Sequence, residues 1–149
     1  MTDLILALAH HFLVFGLAAL LAAEAAMLRP GLTASQLSRL AFIDNLYGVF
    51  AGLILIVGFG RVFYGVHGSQ LFLSNPWFWA KIVAFFIVGI LSAPPTVRLI
   101  VWRRRAKADS SFVLTQDDVR WVRWFIIPEI VVFACIPLLA AAMVRVPLM

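Results

Sequence analysis

The chain runs to 149 residues, of which 64% are hydrophobic and 13% charged, with a mean hydropathy of +1.02 and a formal net charge of +5. A soluble domain of this size has too little interior for that much apolar material, so the composition selects an integral membrane protein folded as one unit. The excess positive charge lies in connecting segments, where it orients a membrane protein and does not point to nucleic acid; the single Cys135 excludes an intramolecular disulfide.

Four apolar segments follow one another, at about 4–28, 43–64, 76–97 and 121–144. Each is long enough to cross a bilayer as a helix, which takes roughly 20 residues, and none alternates with period two as a barrel strand would. The fold expected is an all-α integral membrane bundle of four transmembrane helices, one domain over residues 1–149, with helices at about 4–28, 34–64, 76–97 and 116–144. The first run follows Asp3 and not a basic region, and it is too long for the apolar core of a cleavable signal, so it reads as a helix of the bundle.

The first helix carries His10, His11 and Glu24 through otherwise oily sequence. Ionisable groups in such a run are costly unless they face protein, cofactor or water. At about 100° per residue, His10 and Glu24 lie only about 40° apart around the axis, whereas His11 is displaced by about 100° from His10. The face shared by His10 and Glu24 is therefore the inward one. Arg29-Pro30-Gly31 stops this helix, and Thr33-Ala34-Ser35-Gln36 fits a capping box that starts the second before the membrane is reached. On the second helix Gly48 and Gly52, continued by Gly58, provide small residues for close packing, as do Gly16, Ala19, Ala22, Ala23 and Ala26 on the first.

Gly65 to Asn75 is a short polar turn containing His67, which reads as solvated, and Asn75-Pro76 sets a capping side chain before a proline at the first helical position. Pro94-Pro95 is expected to kink the third helix. Thr115-Gln-Asp-Asp118 gives the fourth helix an acidic start. The segment from Val97 to Val122 holds Arg98, Arg103, Arg104, Arg105, Lys107 and Arg120, whereas the Gly65–Asn75 turn has no Lys or Arg. By the positive-inside rule both termini lie outside (periplasmic). Trp77, Trp79, Trp102, Trp121 and Trp124 fall near the predicted boundaries, as interfacial aromatics should.

Two polar layers follow from rise alone. His10 and His11 lie about 10 Å below the outer surface, Lys81 about 8 Å and Arg61 about 6 Å, with Tyr64 close by. This outer layer contains no carboxylate, so an anionic guest is expected; a haem suits it, one imidazole on the iron and basic groups on the propionates. The bland alternative is that Arg61 and Lys81 snorkel to headgroups and the histidine is merely hydrogen-bonded. Adjacent histidines point apart, so at most one, taken as His10, ligates a metal. The inner layer holds Glu24, Asp44, Arg98 and Glu129, where an Arg98–Glu129 or Arg98–Glu24 pair is expected to tie helices together, with a proton path as the functional variant.

At Ala9-His10, Asp44-Asn45-Leu-Tyr-Gly48, Gly60-Arg61-Val-Phe-Tyr64, Asn75-Pro76-Trp77-Phe78-Trp79-Ala80-Lys81 and Pro95-Thr96-Val97-Arg98 the chain resembles a family of uncharacterised small bacterial membrane proteins, over nearly its whole length. More distantly it resembles the copper-resistance-D-like group, including the four-helix haem-type protoporphyrinogen oxidases, whose early histidine on the first helix and lysine on the third match His10 and Lys81. That resemblance implies haem b on His10 in a bacterial inner-membrane protein, with oxidation of a porphyrinogen or quinol-linked electron transfer as activity. It departs from those oxidases later in the first helix, where Leu20, Glu24 and Arg29-Pro30 replace their usual elements. The expected partners are the lipid bilayer and a quinone, a porphyrin or a larger membrane complex. A non-catalytic accessory subunit of a respiratory or photosynthetic complex is the alternative, and copper handling a second, weakened because Met1, Met27, Met143 and Met149 form no thioether cluster.

Overall fold

A computed structural model describes residues 1–64, 73–109 and 111–145. Among the described residues run four long helices, α1 (Thr2–Met27), α2 (Ala34–Tyr64), α3 (Pro76–Ala108) and α4 (Gln116–Arg145), and no strand. All four are long and apolar enough to cross a membrane. Helices α1 and α2 pack closely as one hairpin and α3 and α4 as another; α2 joins the two, and α1 touches α4 more lightly.

The start signals read from sequence act as hydrogen bonds. Thr33 N–H donates to Gln36 Oε1 (3.0 Å) while Gln36 N–H donates back to Thr33 Oγ1 (3.4 Å), the reciprocal capping box. Thr115 and Asp118 repeat the pattern at the head of α4, the Asp118 carboxylate accepting from the Thr115 backbone N–H and hydroxyl. Asn75 Oδ1 accepts from Trp77 N–H (2.9 Å), and its amide donates to the Met143 carbonyl (3.3 Å), so one buried side chain caps α3 and ties it to the end of α4. Gly31, with φ of +73°, turns the chain between α1 and α2, and its N–H donates to the Leu114 carbonyl (3.0 Å).

Helix α3 is longer than its apolar segment, ending at Ala108 and not near 97. The sequence turns basic at Arg103, but Arg, Lys, Ala and Leu all favour helix, so leaving the membrane does not end the helix. Its 33 residues span about 50 Å, well beyond a hydrocarbon core of about 30 Å. Pro94 and Pro95 lie inside it, and the helix continues through both. The core is a central seam of Leu13, Leu17 and Leu21 on α1, Leu40 and Ile54 on α2, Val88, Leu99 and Trp102 on α3 and Val122 and Ile126 on α4. Outside, Phe12 (71% exposed), Phe15 (72%) and Leu138 (69%) present large apolar surfaces, the pattern of a bundle whose solvent is lipid.

Candidate functional site: a cleft above a buried carboxylate layer

Two polar levels occupy the axis of the bundle. In the upper half a cleft opens among all four helices. Its walls include Val14 from α1, Gly58 and Phe59 from α2, Phe85 from α3 and Phe133 from α4, and its polar groups are His10 and Lys81. Its chemistry is that of small-molecule and cofactor sites, apolar walls with few polar groups.

His10 stands where the helical wheel puts it, above Leu13, Leu17, Leu21 and Glu24 on the buried stripe of α1. Its Nδ1 is buried and has no hydrogen-bond partner. The ring lies against Gly58: a Cβ there would stand 3.6 Å from His10 Cε1 and 3.8 Å from Nδ1, so the missing side chain gives the imidazole its place between α1 and α2. Arg61, one turn above Gly58, also has a buried, unpartnered nitrogen, Nε. It lies within electrostatic reach of His10 and Lys81 without lining the cleft. Lys81 projects its Nζ over the Phe78 ring at 5.4 Å from the centroid. Buried polar atoms are rarely left unpaired, and His10 Nδ1 is one such atom on a residue that lines the cleft.

The other outer-layer residues are placed differently. His11 faces outward, its ring at 89° to that of His10, and its Nδ1–H donates to the Ala7 carbonyl at 2.7 Å. It does not line the cleft. Tyr64 closes α2, and its side chain lies outside the described residues, as does all of His67.

At the inner level, Glu24 from α1, Asp44 and Tyr47 from α2, Thr96 from α3 and Glu129 from α4 meet. The three carboxyls are buried, with Glu129 1% and Glu24 3% exposed. Tyr47 Oη donates to Glu129 Oε1 at 2.7 Å, crossing from α2 to α4, and Thr96 Oγ1 donates to Asp44 Oδ1 at 2.7 Å, joining α3 to α2. Glu24 lies within electrostatic reach of both Asp44 and Glu129.

This overturns the expected ion pairs of Arg98 with Glu129 or Glu24. Arg98 is exposed on the far side of α3, its guanidinium stacked on the Trp121 ring at 4.6 Å from the centroid. The physical reason is the helical period: Thr96 turns inward to Asp44, and two residues further on, about 200° around, Arg98 must point out. Asp44 and Glu129 instead take neutral hydroxyl donors. Among the described residues the ion pair present is the exposed Arg120–Asp117 contact at 3.6 Å.

Tyr47, Thr96 and Arg123 are the functional-looking side chains that the charge inventory passed over. Tyr47 had a signal: it follows Asp44 by three residues and so shares its face. Arg123 donates from Nη2 to the Leu28 carbonyl at 3.2 Å, satisfying the end of α1 from α4, and nothing in its local sequence announces that. Among the described residues no three His, Cys, Asp or Glu side chains gather in a metal-ligating group.

A sequence profile described as predicted membrane protein, DUF2214, matches residues 2–146. The chain belongs to the DUF2214 family. No curated protein and no solved structure matches the chain. For this DUF2214 member the whole bundle, with cleft and carboxylate layer, falls inside the family match.

Proposed function

We propose that this DUF2214 member is a multi-pass protein of a bacterial inner membrane that binds one haem b in the upper cleft. The observation that carries the reading is the buried, unpartnered His10 Nδ1 beside an apolar cleft whose other polar group is Lys81. The donor set fits such a guest: one imidazole for the iron, Lys81 and Arg61 for acidic substituents, and aromatic walls for a macrocycle. When bound, haem supplies one-electron redox chemistry, and the activity proposed is electron transfer or oxidation of a porphyrinogen- or quinol-type reductant. The chain's own part is to hold the imidazole against Gly58, exclude water with Phe59, Phe85 and Phe133, and balance acidic charge with two cations. The distribution of Arg and Lys supports both termini lying on the periplasmic side, with the cleft in the outer half.

A second reading, a non-catalytic accessory subunit of a larger membrane complex, draws on the Tyr47–Glu129 and Thr96–Asp44 bonds, which hold helices together without needing chemistry. Visible spectra of the protein purified in mild detergent, oxidised and dithionite-reduced, separate the two. The first reading requires a Soret band, or one regained on haemin titration, that is lost in His10→Ala and retained in His11→Ala. A folded, colourless protein that takes up no haemin refutes it.

A further inference from the structure

A second polar recess lies on the outside of the bundle, between α3 and α4 at the end where the basic connector begins. It is lined by Arg98, Trp102, Asp117, Asp118 and Trp121. We propose that this recess is a binding site for the headgroup of a zwitterionic phospholipid bearing a primary ammonium, of the phosphatidylethanolamine class, with the phosphate on Arg98 and the ammonium on Asp117.

The argument begins with depth. Arg98 precedes Arg103, the first of the basic run, by five residues, about 7.5 Å of rise towards the hydrocarbon. Its neighbours on the exterior of α3, Val97 (60% exposed) and Ile100 (42%), are lipid-facing, as is Trp124 on α4 (75%). An arginine at that level on an apolar exterior needs an anion. No carboxylate lies within ion-pairing distance of it among the described residues, and the anion available at that level in a bilayer is the lipid phosphate. Stacking on Trp121 fixes the guanidinium plane, leaving its edge to donate two parallel hydrogen bonds to phosphate oxygens. Trp102 is buried behind it and forms a rigid wall.

The acidic side of the recess chooses among phosphates. Asp118 is committed to Thr115, whereas Asp117 makes only an exposed contact with Arg120 at 3.6 Å, a pairing that contributes little. Asp117 lies near the head of α4, about a turn below Trp121, on the aqueous side of Arg98. A headgroup whose phosphate sits on Arg98 extends its next atoms towards Asp117. A primary ammonium hydrogen-bonds there. A trimethylated ammonium offers no N–H, and a headgroup without a cation sets its hydroxyls and net negative charge against two aspartates.

The test uses the intact protein in nanodiscs made from equal parts phosphatidylethanolamine, phosphatidylcholine and phosphatidylglycerol with identical acyl chains, released and read by native mass spectrometry. Retained ethanolamine lipid is expected to exceed each of the others by about fivefold, the preference that one hydrogen bond of about 1 kcal/mol net confers. Arg98→Gln should lower retention of all three. Asp117→Asn should abolish the ethanolamine preference alone while retention on Arg98 persists. Equal retention of the three lipids overturns the proposal, as does preference for the glycerol headgroup, or a preference unchanged in Asp117→Asn. Thermal melting of each variant reports folding, and because Asp117 is 88% exposed its variant decides the question even if Arg98→Gln unfolds.

Discussion

Replacing Tyr47 with phenylalanine removes one hydroxyl and no packing volume, and it isolates the bond that crosses the bundle from α2 to Glu129 on α4. The 2.7 Å contact is buried at both ends, Tyr47 being 4% and Glu129 1% exposed. A typical intramolecular hydrogen bond is worth about 0.5–1.5 kcal/mol net in a soluble protein, and about 1.5–3 kcal/mol when one partner is charged. In a bilayer the unfolded helices find other partners, and measured couplings average about 0.6 kcal/mol with a ceiling near 1.7. Full burial of both partners places this bond towards that ceiling, at about 1–1.5 kcal/mol. The assay is reversible unfolding in mixed micelles of Tyr47→Phe, Glu129→Met and the double variant. The cycle removes effects that either change has alone, such as loss of a buried carboxyl. A coupling within about 0.3 kcal/mol of zero would refute the claim that this hydroxyl ties the two hairpins together.

Three further outcomes follow from the geometry. Gly58→Val sets branched carbon against the imidazole, since a Cβ alone already stands 3.6 Å from His10 Cε1; haemin uptake should fall at least tenfold while helix content by circular dichroism stays at the parent value. Gly16→Ala meets the Phe50 ring within contact distance and should cost about 1–3 kcal/mol, recovered in large part by Phe50→Leu in the same unfolding assay. Asn75→Ala removes the cap of α3 together with its bond to the Met143 carbonyl, a loss of about 1–2 kcal/mol; amide exchange that stays as slow at residues 77–79 as in the parent would contradict it.

The four helices were legible because length and hydropathy decide them, and three of the connections because a capping side chain carries its meaning locally, as Thr33, Asn75 and Thr115 do. The face shared by His10 and Glu24 was legible too, since it needs only the angle per residue on one helix. What one helix cannot report is its rotation against its neighbours. Arg98 and Glu129 are an attractive pair on paper, but Glu129 is buried inside the bundle and Arg98 is exposed on its outside. The clue was at hand in Thr96, whose inward hydroxyl forces Arg98 outward, but it has force only once Thr96 is known to meet Asp44. The apposition of Gly58 and His10 is likewise a matter of register between α1 and α2, and register leaves no mark in either segment. Gly48 and Gly52 show the converse: in a sequence pattern suited to close packing, a Cβ added at either would meet nothing within 4 Å among the described residues.

The vertical spacing of His10 and Glu24 on α1 has an electrical meaning. Their separation in sequence corresponds to about 21 Å of rise, some two-thirds of a hydrocarbon thickness of about 30 Å. A membrane at 100 mV does about 2.3 kcal/mol of work on each unit charge carried across it, so roughly 1.5 kcal/mol falls between the two levels. Any charge that the cell moves from one to the other, proton or electron, would therefore be driven or opposed by the energised state of the membrane. Applied voltage on oriented bilayers thus becomes an experimental handle on the bundle.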